Sequence, residues 1–307
     1  MYVLFYYRFC RNFVKFIQRR NHDESHCFGG QRHPGENELP SGTGPQLLCG
    51  GRGQKILFDT GFSDLFLKNA QIPGIDLTDL DAIVFSHGHD DHMGGLYHLM
   101  EYYKARQVEE KADLILHPNA LCPKCLNGKN MGNVLSPELL EGYFNIIPVS
   151  GSYALTPHLT FLGQIPRVLE FENTHSKVVT KLNGDWEEDK LLDDTSLVFD
   201  GEEGLVILSG WAHAGICNTV EAAKAITGKS KIQDIVGGFH LLHPTEERMD
   251  KTANYLSQLG LSHITPCHCT DFPSRCRIHQ AVPVQWQGQR VGIPLIPEKT
   301  VFFCQFV

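Results

Sequence analysis

The segment Ser86-His87-Gly88-His89-Asp90-Asp91-His92 places three imidazoles and two carboxylates within seven residues, directly after the apolar run Ala82-Ile83-Val84-Phe85. That run is short, apolar and partly β-branched, the pattern of a buried strand. The seven residues therefore stand at a strand end, where loops present functional groups. Imidazole nitrogen and carboxylate oxygen together suit zinc, iron or manganese. His87 and His89 alternate and can converge on one ion, while Asp91 and His92 turn toward a neighbouring one. The competing reading is a solvated histidine-rich loop before a helix cap. One such motif does not fill two metal sites, so further ligands must come from other strand ends.

The rest of the chain supplies strand ends in alternation with helices. KILFDTG at 55–61, ADLILH at 112–117, LTFLG at 159–163, KIQDIVGG at 231–238 and HITPCH at 263–268 read as strands, and SLVFDGEEGLVILSG at 196–210 as two strands joined by a turn. GGLYHLMEYYKAR at 94–106 reads as a helix with Leu96, Leu99, Met100 and Tyr103 on one face; residues 219–228 and 246–260 read as two more. Residues 21–54, rich in Gly, Pro, Ser, Asn and Gln, read as a loop that ends where KILFDTG begins. The expected organisation is a poorly ordered extension over residues 1–44 and one catalytic α/β domain over 45–307, with no internal repeat.

Three histidines stand after strands as His87 does: His213 after GLVILSG, His268 after HITP and His240 after QDIV. His213 and His268 rank above His240 as further metal ligands, each weighed against a hydrogen-bonded loop histidine. Asp194, just before a strand, is a candidate ligand or metal bridge. Asp59 reads as a carboxylate that orients a ligand imidazole through its free N–H. Cys122-Pro-Lys-Cys125 has zinc or redox spacing, with Cys267, Cys269 and Cys276 available to complete a thiolate set, but a single such pair is a weak signal. Glu170 and Glu172 alternate with apolar residues, as on the polar face of a strand.

Charge and composition exclude several classes. The net charge is −8, and the body of the chain has no basic stripe, so neither nucleic acid nor an anionic lipid surface is an expected partner. The ten cysteines are spread irregularly through a large domain, as reduced thiols of an intracellular protein would be. In residues 1–20, Arg8, Arg11, Lys15, Arg19 and Arg20 interrupt every apolar run, which rules out a membrane span. Phe5, Phe9, Phe13 and Phe16 fall near helical spacing, so the expected cytoplasmic location has organelle targeting by this segment as its alternative. Oligomeric state leaves no trace in the sequence.

Together these residues resemble the metallo-β-lactamase superfamily and, within it, the branch named after dihydropterin–aminobenzene-phosphate synthase. ILFDTG at 56–61 and SHGHDDHMGGL at 86–96 carry the superfamily pattern. IPRVLEFE at 165–172, DDTSL at 193–197, SGWAHAGICNTV at 209–220, GGFHL at 237–241 and PCHCT at 266–270 extend the match, the last three marking the branch. The branch usually reads DDQAL, GCSHAGI and HCTG, so Thr195-Ser196, Trp211-Ala212 and Asp271 are departures. The resemblance implies a four-layer αββα sandwich with the metal site at one edge between the sheets. It implies that His87 and His89 hold a first metal, Asp91 and His92 a second, and that His213 and His268 are further ligands.

A site of this kind lowers the pKa of bound water and polarises a carbonyl or phosphoryl oxygen. The expected function is a metal-dependent hydrolase that uses activated water on an ester, thioester, lactam or phosphoester of a small-molecule substrate. Asp91 is the expected catalytic residue, ligating a metal and holding the attacking hydroxide. Two divalent ions are expected, zinc first, with manganese, iron or magnesium as alternatives. The alternative function is the branch's transfer reaction, which condenses a pterin diphosphate with an aminobenzene ribosyl phosphate and releases pyrophosphate. A binding protein or an iron redox protein on the same scaffold comes third.

Overall fold

The computed structural model describes residues 46–51, 54–72, 74–282, 284 and 303–306, so the segment 1–44 expected as an extension lies outside the described residues. In chain order the elements are β1 (Leu47–Gly51), β2 (Gln54–Phe58), α1 (Leu65–Gln71), β3 (Ala82–Val84), α2 (Asp90–Met93), α3 (Leu96–Arg106), β4 (Asp113–Leu116), β5 (Lys124–Leu126), β6 (Lys129–Asn130), α4 (Pro137–Glu141), β7 (Asn145–Pro148), β8 (Tyr153–Ala154), β9 (Leu159–Phe161), β10 (Val179–Leu182), β11 (Asp185–Glu188), β12 (Ser196–Asp200), β13 (Leu205–Ser209), α5 (Ile216–Thr227), β14 (Ile232–Gly238), α6 (Glu246–Ser257), β15 (His263–Cys267), α7 (Phe272–Ala281) and β16 (Phe303–Phe306).

These strands form two six-stranded sheets, in the orders β16-β1-β2-β3-β4-β7 and β15-β14-β13-β12-β9-β8, and a small sheet, β11-β10-β5-β6. Successive strand residues point to opposite faces, and that alternation stacks the layers. Ile56, Phe58, Ala82, Val84 and Ile115 of the first large sheet pack against Leu159, Phe161, Leu197, Phe199, Val206, Leu208 and Val236 of the second. The intervening Leu57, Ile83, Leu114 and Leu116 pack with Phe66, Leu96, Leu99 and Met100 of α1 and α3. On the far side Val198, Ile207 and Ile235 pack with Val220, Ala223, Met249 and Leu256 of α5 and α6. Both faces of each large sheet are therefore buried, which is why their central strands read as continuous apolar runs. The result is the expected four-layer αββα sandwich.

The edge of the first sheet departs from expectation. Residues 47–51, read as the end of a loop, form β1, which pairs antiparallel with β2 on one side and with β16 on the other. Gly50 and Gly51 hide the strand pattern, and β16 lies far away in sequence. Among the described residues, no helix is long and apolar enough to cross a membrane.

Asp234 of β14 is buried, 5% exposed, and its Oδ1 has no hydrogen-bond partner. Burial pushes its carboxyl from 3.8 up to about 7. The folded protein thus holds a proton that the unfolded chain releases between these values. The cost to stability is absent below about pH 4, grows as pH rises, and is complete above about 7. Asp234→Asn is expected to raise the melting temperature clearly at pH 8 and to change it by no more than about a degree at pH 4. Equal shifts at the two pH values would refute the assignment.

Candidate metal centre

The ends of β2 and β3 start the site. Asp59 follows β2 in a left-handed backbone, φ 61°, an uncommon conformation for a residue other than glycine. Its amide donates to Val84 O at 2.9 Å, and its Oδ1 accepts the Ser86 amide at 2.8 Å. Oδ2 accepts the Ser86 hydroxyl at 2.8 Å and His92 Nδ1 at 2.7 Å. The Ser86 hydroxyl, having donated its proton, accepts from His87 Nδ1 at 3.0 Å. Both imidazoles are thereby left with Nε2 facing inward. At Gly88 a Cβ would lie 2.2 Å from the Ala120 carbonyl, so only glycine lets the loop pass between His87 and His89.

The second sheet contributes from the matching edge. After β13, β14 and β15 the chain turns through left-handed residues, Ala212, His240 and His268 respectively. These turns bring His213, His240 and His268 alongside the first loop. One nitrogen from each of His87, His89 and His213 lies within 4.8 Å of the others, and all three residues are buried. His87 Nε2, His89 Nε2 and both nitrogens of His213 have no hydrogen-bond partner. Ligand atoms of His87, Asp91 and His92 form a second group on the same criterion. His268 Nε2 joins it, 3.3 Å from Asp91 Oδ2 and 3.3 Å from His92 Nε2. Buried imidazole nitrogens without partners, facing a carboxylate, fit a divalent cation.

The electrostatics keep the first group neutral. Burial lowers His87 and His213 well below 6.5, and burial followed by Lys124 lowers His89 to about 4. Asp91 is the opposite case: burial opposes ionisation, but His92 and His268 outweigh it and hold the carboxyl at about 2.

The two remaining candidates lie beside the groups rather than in them. Asp194 Oδ2 accepts the Ala214 amide at 2.9 Å, while Oδ1 has no partner, and burial raises the carboxyl to about 7. His240 lies with its ring 4.7 Å from that of His213. Its Nδ1 is occupied by the indole N–H of Trp211 at 2.5 Å.

Three features escape sequence reading. Trp211 stacks on His213 at 5.0 Å and 5°, and stands edge-on to His268 at 4.5 Å, walling the site at a position where the branch usually has cysteine. Lys124 of β5, with its side chain fully buried, contacts Asp189 at 2.6 Å and Asp193 at 3.2 Å, and Asp193 Oδ2 accepts the Gly88 amide at 2.8 Å. Glu170 and Glu172, expected on a strand face, lie in a short 3₁₀ turn instead. Glu172 is buried and caps α5 by accepting the Cys217 and Asn218 amides at 3.0 and 2.7 Å. The sequence signal for this is the glutamate's apolar surroundings, which mimic strand alternation.

A four-layer sandwich with histidines and aspartates gathered where both sheets end is a metalloprotein architecture. The model of the metallo-β-lactamase superfamily matches residues 46–121. The 7,8-dihydropterin-6-methyl-4-(β-D-ribofuranosyl)-aminobenzene-5'-phosphate synthase of Methanocaldococcus jannaschii is 30% identical over 229 residues, 71% of this chain and 76% of that protein. The uncharacterized protein MJ0448 of the same organism is 26% identical over 230 residues, 74% and 83% of the two chains. Among solved structures, Tm1679, a metal-dependent hydrolase of the β-lactamase superfamily, superposes with a TM-score of 0.68 at 26% identity, covering 82% of this chain and 99% of its own. The chain belongs to the metallo-β-lactamase superfamily, in its dihydropterin–aminobenzene-phosphate synthase-like branch.

Two measurements test this geometry. Metals bind neutral imidazole, so protons compete only near a ligand's pKa. With His89 at about 4 and its two partners also low, the affinity for an ion at the His87–His89–His213 group is expected to hold within about threefold from pH 7.5 to 6 in a chelator competition on an Asp91→Ala variant. Three ordinary histidines would lose more than about tenfold over the same range. Lys124→Met strands two buried carboxylates and is expected to destabilise the fold by ~3–5 kcal/mol in denaturant unfolding. An unchanged midpoint would contradict that role.

Proposed function

We propose that the chain is a metal-dependent hydrolase acting on an ester, thioester, lactam or phosphoester of a small molecule, with residues 45–307 as its catalytic unit. The observation that carries this reading is the pair of ligand groups sharing His87, with Asp91 in one of them. In this reading His87, His89 and His213 hold one divalent ion, and Asp91, His92 and His268 hold another, zinc being the first candidate. When bound, such ions supply Lewis acidity and lower the pKa of water toward neutrality. Asp91, ionised at neutral pH, accepts a hydrogen bond from the attacking water and orients it. Asp59 fixes the His92 ring through Nδ1, and Trp211 excludes solvent from the wall against His213 and His268.

A second reading has its own support. The relative named as a synthase, at 30% identity, favours the transfer reaction expected from the branch resemblance, in which a pterin diphosphate condenses with an aminobenzene ribosyl phosphate and releases pyrophosphate. Here Asp91 would orient an attacking amine or aromatic ring in place of water.

Metal content by mass spectrometry and turnover on phosphodiester, thioester and pterin diphosphate substrates separate the two. Asp91→Asn is expected to lower turnover by about 10²- to 10⁴-fold. His89→Ala is expected to lose metal and turnover together. Turnover that appears only with an aminobenzene acceptor and yields stoichiometric pyrophosphate would overturn the hydrolase reading; a folded wild-type protein that takes up no metal would overturn both.

A further inference from the structure

The imidazoles of the centre are not all oriented by the same means. His87 Nδ1 donates to the Ser86 hydroxyl at 3.0 Å, and His92 Nδ1 to Asp59 at 2.7 Å. His213 belongs to the first ligand group, yet neither of its nitrogens has a hydrogen-bond partner among the described residues. A ligand imidazole ordinarily has its plane fixed by a hydrogen bond from the nitrogen that faces away from the ion. For His213 something other than a hydrogen bond must do this.

Trp211 is placed to do it. Its indole is parallel to the His213 ring, 5° between the planes, with centroids 5.0 Å apart, an offset stack. The indole also stands between 4.5 and 6.2 Å from the rings of His87, His89, His92, His240 and His268. Its Nε1–H donates to His240 Nδ1 at 2.5 Å. An indole nitrogen can only donate, so His240 Nδ1 carries no proton and the neutral ring holds its proton on Nε2. The backbones of the same two residues are joined as well: the Cys269 thiol accepts the His240 amide at 3.2 Å and donates to the Trp211 carbonyl at 3.3 Å. A Cβ at Gly238, the last residue of β14, would lie 2.7 Å from Cys269 Sγ and 3.1 Å from Trp211 Cα, so the pair is held without slack.

We propose that Trp211 is a positioning residue of the centre: its indole face sets the plane of His213, and its indole N–H fixes His240 as the tautomer protonated on Nε2. The cysteine that the branch usually has at this place offers neither a ring face nor a nitrogen donor, so both tasks belong to this chain's departure from the branch. The first task rests on the reading that His213 holds an ion, since only then does the direction of its ring matter to the chemistry. The second is independent of any ion.

The test compares Trp211→Phe, which keeps a ring face and loses the N–H, with Trp211→Leu, which keeps apolar bulk and loses both. In the metal-free full chain, heteronuclear NMR of the His240 ring nitrogens is expected to show the Nε2–H tautomer alone in the wild type and an exchanging mixture of both tautomers in each variant. Zinc affinity is then read by chelator competition in an Asp91→Ala background, where the His87–His89–His213 group is measured. There Trp211→Phe is expected to stay within about threefold of its parent and Trp211→Leu to bind about tenfold or more weakly. A side chain that only filled the wall would leave the tautomer unchanged and let leucine serve as well as phenylalanine, and either result would overturn the proposal. Should Trp211→Leu fail to fold, a wild-type tautomer in Trp211→Phe still overturns it. Wild-type protein that takes up no zinc would count against the metal-binding reading alone, because the tautomer is read without metal.

Discussion

One buried carboxylate decides which way the centre faces. The oxygens of Asp59 are filled by the Ser86 amide, the Ser86 hydroxyl and His92 Nδ1, so the ends of two neighbouring parallel strands and the short helix α2 are tied to a single point. A carboxylate only accepts, and that fact propagates. His92 must donate from Nδ1 and present Nε2; Ser86 must give its proton to Asp59 and accept from His87, which then also presents Nε2. The inward direction of these two imidazoles therefore follows from a hydrogen-bond chain that needs no ion. Asp59 is entirely buried, so no water competes for these bonds.

Around this point the protein separates its charges by depth and partner. The imidazoles of the first group are neutral because burial removes the water that would solvate their charged forms, whereas His92 is raised because, against burial, Asp59 and Asp91 favour its charged form. Lys124 keeps its charge despite burial because Asp193 and Asp189 meet it. Asp193 in turn holds the Gly88 amide, so the small sheet that carries Lys124 braces the loop between His87 and His89. The isolated bridge between His89 and Gly132 and the hydrogen bond from the Asp90 amide to Met131 O reinforce that brace from the same side.

The two large sheets, the helices that cover them and the His87–His92 motif were legible because each is written locally. Strand period, helix period and ligand spacing all lie within a few residues of one another. That His213 and His268 come alongside the His87–His92 loop was legible by a rule one step longer, that functional groups gather at strand ends; His240 stands at an equivalent end, with its ring 4.7 Å from that of His213. Lys124, Glu172 and Trp211 were not legible in their roles. Lys124 meets residues more than sixty positions away, and a lysine in a loop-rich stretch gives no sign that it will be fully buried. Glu172 shows why alternation alone misleads: its apolar neighbours mark a buried turn as readily as a strand. β1 escaped for the related reason that its partner β16 is distant and its own glycines break the pattern.

The pairing of β1 with β16 gives the first sheet a timetable. β1 is among the earliest described elements to leave the ribosome, and its outer neighbour is the last, so the ladder between them closes a loop that spans nearly all of the described chain. Contacts at such separation form late, after the entropy of the intervening segment has been overcome by everything folded between. Until then β1 offers an open row of backbone donors and acceptors, on the same sheet whose inner strands carry Asp59 and the histidine loop. The strand that covers this edge, β16, thus shields the sheet that positions the centre without lending it a residue.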